Sequence, residues 1–525
     1  MFIAMDMGTS NTRLWLCEGE TVLHFAKAAI GAGITKKEGK PFLFAEVKKL
    51  LEGLLREANA DWSRVECIMV AGMAGSELGI VDVPRIPLPA DISTLADHLQ
   101  THRIPEIFPI PFVFVPGIKK CRGVYLQDVM RGEETETMGL LHALPCGEDC
   151  VLVLPGTHNK VISVSKQGAI TDFYTTMSGE LLHNMMTNSI LAGTVSHQFA
   201  PKERYVLEGA AYAKENGINS ALFQIRVMWL NGVQTDELSS FLYGCVLGQD
   251  VEKIASIAKN KQIFIAGNKM LKQIYSILLS FHGCQISDEA SAVATQMGLR
   301  KLYELHRRKQ NRQKVLDALA REKLIAIIRN PNEETLLPAV NALYNGGVRM
   351  VEVTFDRSGS IPKEETAQLI RYIKDNTPLL VGAGIVTSIE EVTLAAEAGA
   401  AYIISPNCDV EIIRKTRKLG LVSIPASYTP TEIAAAIKAG ADYIKIFPAD
   451  DLPCGYIKAL KAPLSDAKLL AVGGVTNTNV KEFLANGFDG VGVGSNLYSK
   501  ELIKAKDFQA LENLAREYVS EIKKA

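Results

Sequence analysis

The sequence lacks three features, and each absence excludes a class of protein. It contains no long apolar run, since stretches such as Cys150–Leu154 are far too short to cross a bilayer. It carries no excess of one charge, because 57 Lys and Arg side chains stand against 58 Asp and Glu, which argues against nucleic acid or a membrane as a partner. The N-terminal stretch contains Asp6 and no basic segment, so we expect no signal peptide and a cytoplasmic location.

Paired cysteines are also absent. The nine cysteines include no CxxC pair, so the sequence favours reduced thiols over a structural zinc site. What the chain does have is the composition of a folded protein, with 47% hydrophobic and 22% charged residues. At roughly 150 residues per domain, a length of 525 residues allows three or four domain-sized units.

Residues 324–525 alternate short apolar stretches with amphipathic helical patterns. Apolar runs flanked by helices indicate a parallel sheet that is buried on both faces. Eight strand–helix units in about 200 residues predict an α/β fold of the TIM barrel, or (β/α)8, type. The predicted strands are Leu324–Ile328, Met350–Thr354, Leu379–Gly382, Tyr402–Ser405, Leu421–Ile424, Tyr443–Phe447, Leu469–Val472 and Gly490–Val493.

The segment before the barrel breaks the even distribution of charge. From Arg300 to Lys323 there are nine Lys or Arg residues and three Asp or Glu residues, with no Gly or Pro. A partial apolar stripe within the segment predicts a helix. We therefore interpret residues 301–323 as a basic helical linker between a first unit at 1–300 and the barrel at 324–525.

Residues 1–300 contain one pattern twice. The predicted strands Phe2–Met7 and Val151–Leu154 are each followed by a turn, and both turns share Gly-Thr-x-Asn at the same place in a run of three strands. The repeat predicts two related lobes with a cleft between them. Coincidence of a four-residue pattern is the alternative.

The two turns have the composition of phosphate-binding loops, because their backbone N–H groups and hydroxyls can hold phosphate oxygens. Asp6, two residues before the first turn, can bind Mg²⁺ directly or through water. Plain hairpins, with Asp6 as a turn cap, are the alternative. The turn residues are Gly8, Thr9, Ser10 and Asn11 in the first and Gly156, Thr157, His158 and Asn159 in the second.

Lys445 lies in the middle of the sixth predicted barrel strand, where a charge is costly unless it is paired or functional. Burial disfavours the ammonium form and leaves a nucleophilic amine. Glu352 is a second charge within a predicted barrel strand. We therefore expect Lys445 to form an imine with a 2-keto acid while Glu352 moves the protons. A simple pair of opposite charges is the alternative.

Glycines follow the last two predicted barrel strands. Gly473 and Gly474 come after the seventh strand, and Gly494 and Ser495 come after the eighth. Barrels commonly bind phosphate with the loops at these two places. The sequence therefore predicts that the phosphate of a substrate binds there, with ordinary tight turns as the alternative.

Four segments of the first unit together resemble the 2-dehydro-3-deoxygalactonokinase family. They read AMDMGTSNTRLWL, QDVMRGEETETMGLL, VLPGTHNKVISV and FYTTMSGELL. The resemblance covers about residues 1–300. It implies an α/β fold of the two-lobed actin/hexokinase-like (ribonuclease H-like) kind and ATP-dependent phosphorylation of a sugar acid.

The same resemblance implies roles for further residues. The two turns match the phosphate motifs, and Gly267 in IFIAGNKML matches the segment beside the adenosine. Asp128 is implied as the base that activates the sugar hydroxyl, a role worth on the order of 10²–10⁴-fold. A helix N-cap is the alternative for Asp128. Arg131, Glu133 and Glu134 are candidates for binding the sugar acid.

Residues 318–525 resemble the class I KDPG/KDPGal aldolase family through LIAIIR, VEVTF, VGAGIV, IISPN, DYIKIFPA and LLAVGGV. The resemblance implies that Lys445 forms the Schiff base without an organic cofactor and that Glu352 shuttles protons. It makes Arg329, at the end of the first barrel strand, a candidate for binding the substrate. Barrels of this family are commonly trimers, so the resemblance implies a homo-oligomer formed through the barrel.

The second resemblance has two departures. Ile385 stands where the family usually has a Thr that helps to hold pyruvate. The segment VTFDRSG replaces a Thr-Leu-Arg arrangement, so Arg357 is the candidate for the missing guanidinium. Val472, just before the glycine pair, resembles members of the family that act on the galacto-type substrate.

Together the two resemblances imply consecutive steps of galactonate catabolism on one chain. The expected small-molecule partners are ATP, Mg²⁺, sugar acids and pyruvate. One alternative keeps both enzymes but makes the sugar the gluconate epimer. The other is a sugar-acid sensor in which the segment from Arg300 to Lys323 contacts DNA.

Overall fold

The computed structural model describes residues 1–144, 147–267, 269–287, 293–453 and 455–525. These residues divide into two compact units, Met1–His306 and Arg307–Ala525. The seven cysteines that belong to the described ranges are free thiols. Among the helices in those ranges, none combines the length and the apolar character that a membrane span needs.

The first lobe of the first unit is built on a six-stranded sheet in the order β3-β2-β1-β4-β7-β6, and a smaller sheet in the order β5-β8-β9. Its strands are β1 (Phe2–Met7), β2 (Thr12–Glu18), β3 (Thr21–Ala28), β4 (Ile68–Gly72), β5 (Ile86–Pro87), β6 (Gln100–Ile104), β7 (Phe108–Phe114), β8 (Ile118–Arg122) and β9 (Tyr125–Met130). Its helices are α1 (Thr35–Glu38), α2 (Lys40–Glu57), α3 (Ile92–Asp97) and α4 (Glu133–Ala143).

The second lobe repeats this design with a five-stranded sheet in the order β12-β11-β10-β13-β14. Its strands are β10 (Cys150–Leu154), β11 (Asn159–Val164), β12 (Ile170–Thr176), β13 (Gln262–Ile265) and β14 (Ile286–Ser287). Its helices are α5 (Ser178–Asn188), α6 (Glu203–Asn216), α7 (Ile218–Leu230), α8 (Thr235–Ile257) and α9 (Lys269–Phe281).

The connectivity of the two sheets confirms the predicted repeat. In the first lobe β1 pairs antiparallel with β2 and parallel with β4. In the second lobe β10 pairs antiparallel with β11 and parallel with β13. Both sheets contribute to one hydrophobic core, which contains Phe2 and Met69 from the first lobe and Leu152 and Phe264 from the second. The predicted two-lobed α/β fold is therefore confirmed.

The second unit is the predicted eight-stranded parallel barrel. Its strands are β15 (Leu324–Ile328), β16 (Met350–Thr354), β17 (Leu380–Gly384), β18 (Tyr402–Ser405), β19 (Val422–Pro425), β20 (Ile444–Ile446), β21 (Leu469–Val472) and β22 (Gly490–Val493). The ring closes between β19 and β20, where Ala426 forms a parallel bridge with Lys445 and the Ser427 N–H donates to the Lys445 carbonyl at 3.0 Å.

A helix follows every barrel strand, and two follow the last one. They are α11 (Glu333–Asn345), α12 (Lys363–Asn376), α13 (Ile389–Glu397), α14 (Val410–Lys418), α15 (Pro430–Ala439), α16 (Tyr456–Lys461), α17 (Val480–Ala485), α18 (Lys500–Lys504) and α19 (Phe508–Lys523). Side-chain caps define several starts, and the hydroxyls of Ser388 and Thr429 accept backbone N–H bonds from the first turns of α13 and α15.

The basic segment before the barrel forms part of one helix, α10 (Ala294–Glu322). Near its end, Val315 and Leu319 are buried against the inward-facing side chains of the barrel strands. Arg312 forms an ion pair with the largely buried Asp442. These contacts use the apolar side of the helix for packing within the second unit. The two compact units meet along the chain at His306 and Arg307, within the predicted linker, and the predicted domain boundaries at 300 and 323 stay predictions.

Candidate active sites

The first predicted phosphate turn is a tight loop between β1 and β2. The Gly8 N–H donates to the Asn11 carbonyl at 2.8 Å, and Thr9, Ser10 and Asn11 are exposed. A Cβ on Gly31 would lie 2.5 Å from the Gly8 carbonyl oxygen, so the chain supports the turn by a close approach that needs glycine. The turn therefore presents polar groups on a rigid base.

Asp6 is the last residue but one of β1, directly below this turn. Its Oδ2 accepts hydrogen bonds from Arg13 Nη2 at 2.5 Å and from Arg13 Nε at 3.0 Å. Burial raises the pKa of Asp6, and the neighbouring Arg13 guanidinium opposes that rise. Asp6 is thus an ion-paired carboxylate at the end of a strand and not a turn cap.

Two glycines bring the end of the first lobe to Asp6. A Cβ on Gly72, the last residue of β4, would lie 3.2 Å from Asp6 Oδ1. A Cβ on Gly132, just before α4, would lie 3.3 Å from the Gly72 Cα. Both have positive φ, at 79° and 112°. The start of α4 therefore lies beside Asp6 because glycine permits both the close approach and the backbone conformation.

Three glutamates occupy the first turn of α4. Burial, together with the charges of Asp6 and Glu133, raises the pKa of Glu136 to about 7. Burial also raises the pKa of Glu133, and Lys160 and His158 of the second lobe oppose that rise. These carboxyl groups are therefore within electrostatic range both of Asp6 and of the second phosphate turn.

Glu134 points away from solvent at the same helix start. Its carboxylate is fully buried and accepts the Gly132 N–H at 2.7 and 2.9 Å. Burial and the charge of Glu133 raise its pKa to about 7. This geometry makes Glu134 a group that fixes the start of α4, and the sugar-binding role predicted for it stays a prediction.

The second phosphate turn is exposed at its tip and anchored at its base. Gly156, Thr157 and His158 are exposed, while Asn159 is buried and its Oδ1 accepts the Gly156 N–H at 3.1 Å. The Thr157 carbonyl accepts the N–H of Glu180, the third residue of α5, at 2.8 Å. The start of α5 therefore lies under the turn.

A buried polar network holds this base together. Asp250 of α8 accepts hydrogen bonds from Ser178 at 2.7 Å and from Thr176 at 3.0 Å. Asn159 donates to the hydroxyl of the buried Tyr275 at 2.9 Å. The network connects the second turn to two helices, which fixes its position relative to the lobe.

Asp128 lies in β9 and not at the start of a helix, so the alternative of an N-cap is wrong. Its Oδ1 accepts hydrogen bonds from the Thr175 hydroxyl and from the Val129 N–H, each at 2.7 Å. Lys160 donates to the same Thr175 hydroxyl at 2.6 Å. The structure therefore brings Asp128 to the base of the second turn, and no hydrogen bond between described residues joins it to Asp6.

Gly267 follows β13 with a φ of 97°, and a Cβ there would meet the Pro155 ring at 3.6 Å. The backbone therefore passes close to Pro155, which precedes the second turn, and the adenosine-side role of Gly267 stays a prediction. Asn268, in the same predicted motif, lies outside the described residues.

Lys445 lies in β20 with its side chain inside the barrel, 6% exposed. Its Nζ lies 5.3 Å from the centre of the Phe447 ring. Glu352 in β16 is 1% exposed, and among the described residues no ion pair joins it to Lys445. The alternative of a simple buried ion pair is therefore not what the structure contains.

Glu352 has the surroundings of a proton carrier. Its Oε1 is buried without a hydrogen-bond partner in the described part of the chain. Burial raises the pKa of Glu352, while the charges of Lys445 and Arg329 oppose that rise. A Cβ on Gly384 would lie 1.7 Å from Oε1, so the glycine makes room for the carboxylate. A carboxyl group with a raised pKa can exchange protons near neutral pH.

The predicted phosphate loops lie at the carboxyl ends of β21 and β22. Gly473 and Gly474 have φ values of 103° and 67°, and a Cβ on Gly474 would lie 2.4 Å from the Asp450 Cβ. Gly494 faces open space, and Ser495 is exposed. Arg329 is exposed directly after β15 at the same end of the barrel. These groups can approach a bound anion.

Arg357 is already engaged by protein groups. Its guanidinium donates to the Ile385 carbonyl and forms a 2.7 Å ion pair with the buried Glu391. Burial alone would raise the pKa of Glu391, but bonds from Arg357 and Thr387 lower it overall. Ile385 has a φ of 53°, which costs a side chain roughly 1–2 kcal/mol. The structure thus uses Arg357 to hold the strained loop after β17.

Sequence reasoning missed several groups at both sites. Glu136 lies one helical turn beyond Glu133, so the i,i+3 spacing was a signal that places both on one face. Asp250 and Glu391 gave no signal, because their partners are distant in sequence. Arg13 lies directly opposite Asp6 in the β1–β2 pair, so the hairpin itself was a signal for that contact.

Comparison with known proteins separates the two units in the same way. A family model described as 2-keto-3-deoxy-galactonokinase matches residues 6–302. The 2-dehydro-3-deoxygalactonokinase of Escherichia coli (strain K12) is 28% identical over 309 residues, which cover 57% of this chain and 97% of that relative.

For the second unit, a family model described as KDPG and KHG aldolase matches residues 315–514. The 2-dehydro-3-deoxy-6-phosphogalactonate aldolase of Escherichia coli (strain K12) is 39% identical over 178 residues, covering 33% of this chain and 84% of that relative. The 2-dehydro-3-deoxy-phosphogluconate aldolase of Haemophilus influenzae (strain ATCC 51907 / DSM 11121 / KW20 / Rd) is 29% identical over 213 residues, which cover 40% of this chain and 98% of that relative.

The kinase match spans more than half of the chain, and the aldolase relative is matched over most of its length. Both resemblances read from the sequence are confirmed, and each falls on a unit whose fold and buried charges suit the activity. The chain is an enzyme with two activities, and it belongs to the 2-keto-3-deoxy-galactonokinase family through residues 6–302 and to the KDPG and KHG aldolase family through residues 315–514.

Proposed function

We propose that the chain catalyses two consecutive reactions of galactonate catabolism. The first unit transfers the terminal phosphoryl group of ATP to the terminal hydroxyl of 2-dehydro-3-deoxy-D-galactonate. The second unit cleaves the resulting 6-phosphate to pyruvate and D-glyceraldehyde 3-phosphate. The observation that carries the proposal is the fusion itself, because phosphorylation of the sugar acid in the name of the kinase relative gives the compound in the name of the aldolase relative.

In the kinase, the two turns hold the ATP phosphates from the two lobes, and Gly267 lies on the adenosine side. Phosphoryl transfer depends chiefly on positioning and on electrostatic stabilisation. Asp128 and Glu133 are the candidates for the base that accepts the proton of the sugar hydroxyl. Glu133 is favoured because its pKa is raised. The charges of Glu133 and Asp6 also both act on Glu136, so Glu133 belongs to the same cluster of carboxyl groups as Asp6.

Asp6 and the first turn of α4 fit a magnesium ion. Mg²⁺ usually binds one or two carboxylates together with substrate phosphates and water. Asp6 and Glu136 provide two carboxyl groups that sense each other's charge. Within the described ranges, no cluster of three such side chains could enclose a metal by itself. When bound, the ion would neutralise charge on the phosphates, while Asp6 and Glu136 would hold it.

In the aldolase, Lys445 Nζ attacks the C2 carbonyl of the substrate, and Glu352 protonates the departing hydroxyl as water leaves. The protonated imine accepts the electron pair of the C3–C4 bond when that bond breaks. Glu352 takes the proton of the C4 hydroxyl, which releases the aldehyde, and returns a proton to C3. Water then hydrolyses the imine, which frees pyruvate and Lys445.

The other barrel groups hold the two charged ends of this substrate. The loops at Gly473–Gly474 and at Gly494–Ser495 bind its phosphate, and Arg329 supplies a cation at the same rim. Arg357 holds the loop at Ile385 through Nη2, and its predicted contact with the substrate carboxylate, which Nη1 and Nε could provide, stays a prediction.

The galacto-type substrate is favoured over its gluconate epimer. The aldolase relative named for phosphogalactonate is 39% identical, whereas the one named for phosphogluconate is 29% identical. Val472, the galacto-type residue, is buried at the end of β21 beside the glycine pair.

We also propose a cytoplasmic homo-oligomer, a trimer formed through the barrel. Apolar side chains that are exposed on the barrel helices support an interface, namely Tyr372, Ile389 and Ile437. Light scattering after size exclusion gives the mass, and a monomer at working concentration would contradict this part of the proposal.

The proposed function is tested by pyruvate release from the unphosphorylated sugar acid. We expect release from 2-dehydro-3-deoxy-D-galactonate that depends on ATP and on Mg²⁺, and slower release from the gluconate epimer. Faster turnover of the gluconate epimer would establish the second candidate function. Pyruvate release without ATP would contradict the kinase step.

A further inference from the structure

Two arginines of the first lobe, Arg85 and Arg131, lie together, and neither forms an ion pair among the described residues. Arg131, between β9 and α4, is 9% exposed, and Arg85 precedes β5. Both pack on Gly117, where a Cβ would lie 3.3 Å from Arg85 Cγ and 3.4 Å from Arg131 Cβ. The missing side chain at Gly117 therefore allows two guanidinium stems to share one site.

Their hydrogen-bonding capacity is largely unused. Arg131 Nη2 donates to the Val83 carbonyl at 2.5 Å. Arg131 Nε, Arg131 Nη1 and Arg85 Nε are buried and have no partner in the part of the chain that the structure describes. Leaving buried donors of a charged group unpaired is costly. A ligand that accepts hydrogen bonds from these donors would remove this cost.

The electrostatics of the pair call for an anion. Burial, and then the charge of Arg85, lowers the pKa of Arg131, and Glu134 and Asp82 offset only part of this. Among the described residues, neither Arg85 nor Arg131 forms an ion pair with these carboxylates. An acceptor with two negatively charged oxygens would relieve both the repulsion and the unpaired donors.

The position of the pair is that of the acceptor sugar. Arg131 precedes Gly132, which packs on Gly72 beside Asp6. A Cβ on Gly75, in the short helix Met73–Gly75 that follows β4, would lie 2.8 Å from Arg131 Nη1. The segment from Gly72 to Gly75 therefore borders Asp6 at one end and Arg131 at the other.

A sugar acid has the matching shape, with its carboxylate at one end and the hydroxyl that receives the phosphoryl group at the other. We propose that Arg85 and Arg131 bind the carboxylate of the sugar acid and make the kinase selective for sugar acids over neutral sugars. This inference rests on the proposed function. The arginines recognise the anion, and Asp6 lies at the phosphoryl-transfer end.

The test compares 2-dehydro-3-deoxy-D-galactonate with its C1 carboxamide in the full-length enzyme. The wild type is expected to phosphorylate the acid with at least about 100-fold higher kcat/KM, because the amide leaves the charged donors unsatisfied. Arg85→Gln is expected to raise the KM for the acid by about 10- to 100-fold and to change the KM for the amide by less than about threefold. Arg122→Gln, at an exposed arginine of β8, is the matched control.

The readouts separate the possible sources of the anion. The KM for ATP and the aldolase rate are expected to stay unchanged in Arg85→Gln. An increase in the KM for ATP, with no change in the KM for the acid, would assign the arginines to the nucleotide phosphates and overturn the inference. Equal use of acid and amide by the wild type would also overturn it, without any variant that has to fold. If the wild type phosphorylates neither compound, the proposed function fails. Stabilisation of the protein to heat by the acid and not by the amide then tests the binding site separately.

Discussion

The two halves of this chain arrange their charged groups in different ways. In the barrel, one lysine and one glutamate are enclosed by strands on all sides, and each is nearly inaccessible to solvent. In the kinase half, carboxylates and cations are spread over a strand end, the first turn of a helix and two exposed turns. A closed barrel shields a single amine and a single carboxyl group from water, whereas a two-lobed cleft sums many partial contributions.

The comparison predicts the largest effect for Lys445→Ala. The variant lacks the amine that forms the imine, so we expect pyruvate formation from the 6-phosphate to fall below detection while ADP formation by the kinase is retained. Borohydride with pyruvate should give a covalent adduct with the wild type and with the exposed control Lys438→Ala. A stable adduct in Lys445→Ala would refute the assignment of the nucleophile.

Glu352→Gln should have the next largest effect. The amide keeps the volume of the side chain but cannot carry a proton, so we expect the aldolase kcat to fall by about 10²–10⁴-fold. Steady-state pyruvate release measures this, and kinase activity in the same sample reports on folding. Retention of wild-type turnover would show that another group moves the protons.

In the kinase half, Glu133→Gln and Asp128→Asn distinguish the two candidate bases. We expect Glu133→Gln to lower the kinase kcat by about 10²–10⁴-fold, with a smaller loss in Asp128→Asn. Aldolase activity in each variant serves as the internal control. The reverse order of losses would assign the base to Asp128, as the sequence predicts.

The smallest effect concerns stability. The pKa of Glu136 is raised from 4.5 to about 7 by burial and by Asp6 and Glu133, so the folded state holds a proton that the unfolded state loses first. Stability of the kinase half should therefore fall as the pH rises from about 4.5 to about 7, by on the order of 3 kcal/mol for this group, and then level off.

Tryptophan fluorescence can follow this transition in the intact chain, because Trp15, Trp62 and Trp229 all belong to the first unit. Glu136→Gln should make this slope shallower without removing it, because the pKa of Glu134 is also raised to about 7. A slope that is unchanged in Glu136→Gln would show that other groups carry it.

The sequence was sufficient where a local pattern determines structure. Five of the eight barrel strands have the predicted bounds, such as Leu324–Ile328, because short apolar runs between helices have few other conformations. The repeated turns and the buried Lys445 and Glu352 could also be read directly, since each is an exception to its local pattern. The predicted bounds were less accurate for the linker at 301–323, which is only part of the longer helix α10 (Ala294–Glu322).

The sequence was insufficient where partners are distant along the chain. The roles of Arg357 and Asp128 depend on Glu391 and Thr175, which no local pattern connects to them. The proximity of Asp6 to the start of α4 depends on two glycines that meet only in the folded lobe. Tertiary packing decides such contacts, so they had to be seen in the structure.

The central claim, two separate catalysts acting in sequence, can be tested most directly by dividing the reaction in time. The Lys445→Ala protein is incubated with 2-dehydro-3-deoxy-D-galactonate and ATP, then protein and nucleotide are removed, and the wild type is added without ATP. We predict that the first stage yields ADP and no pyruvate, and that the second stage releases pyruvate equal in amount to that ADP. No ADP in the first stage, or no pyruvate in the second, would contradict the account.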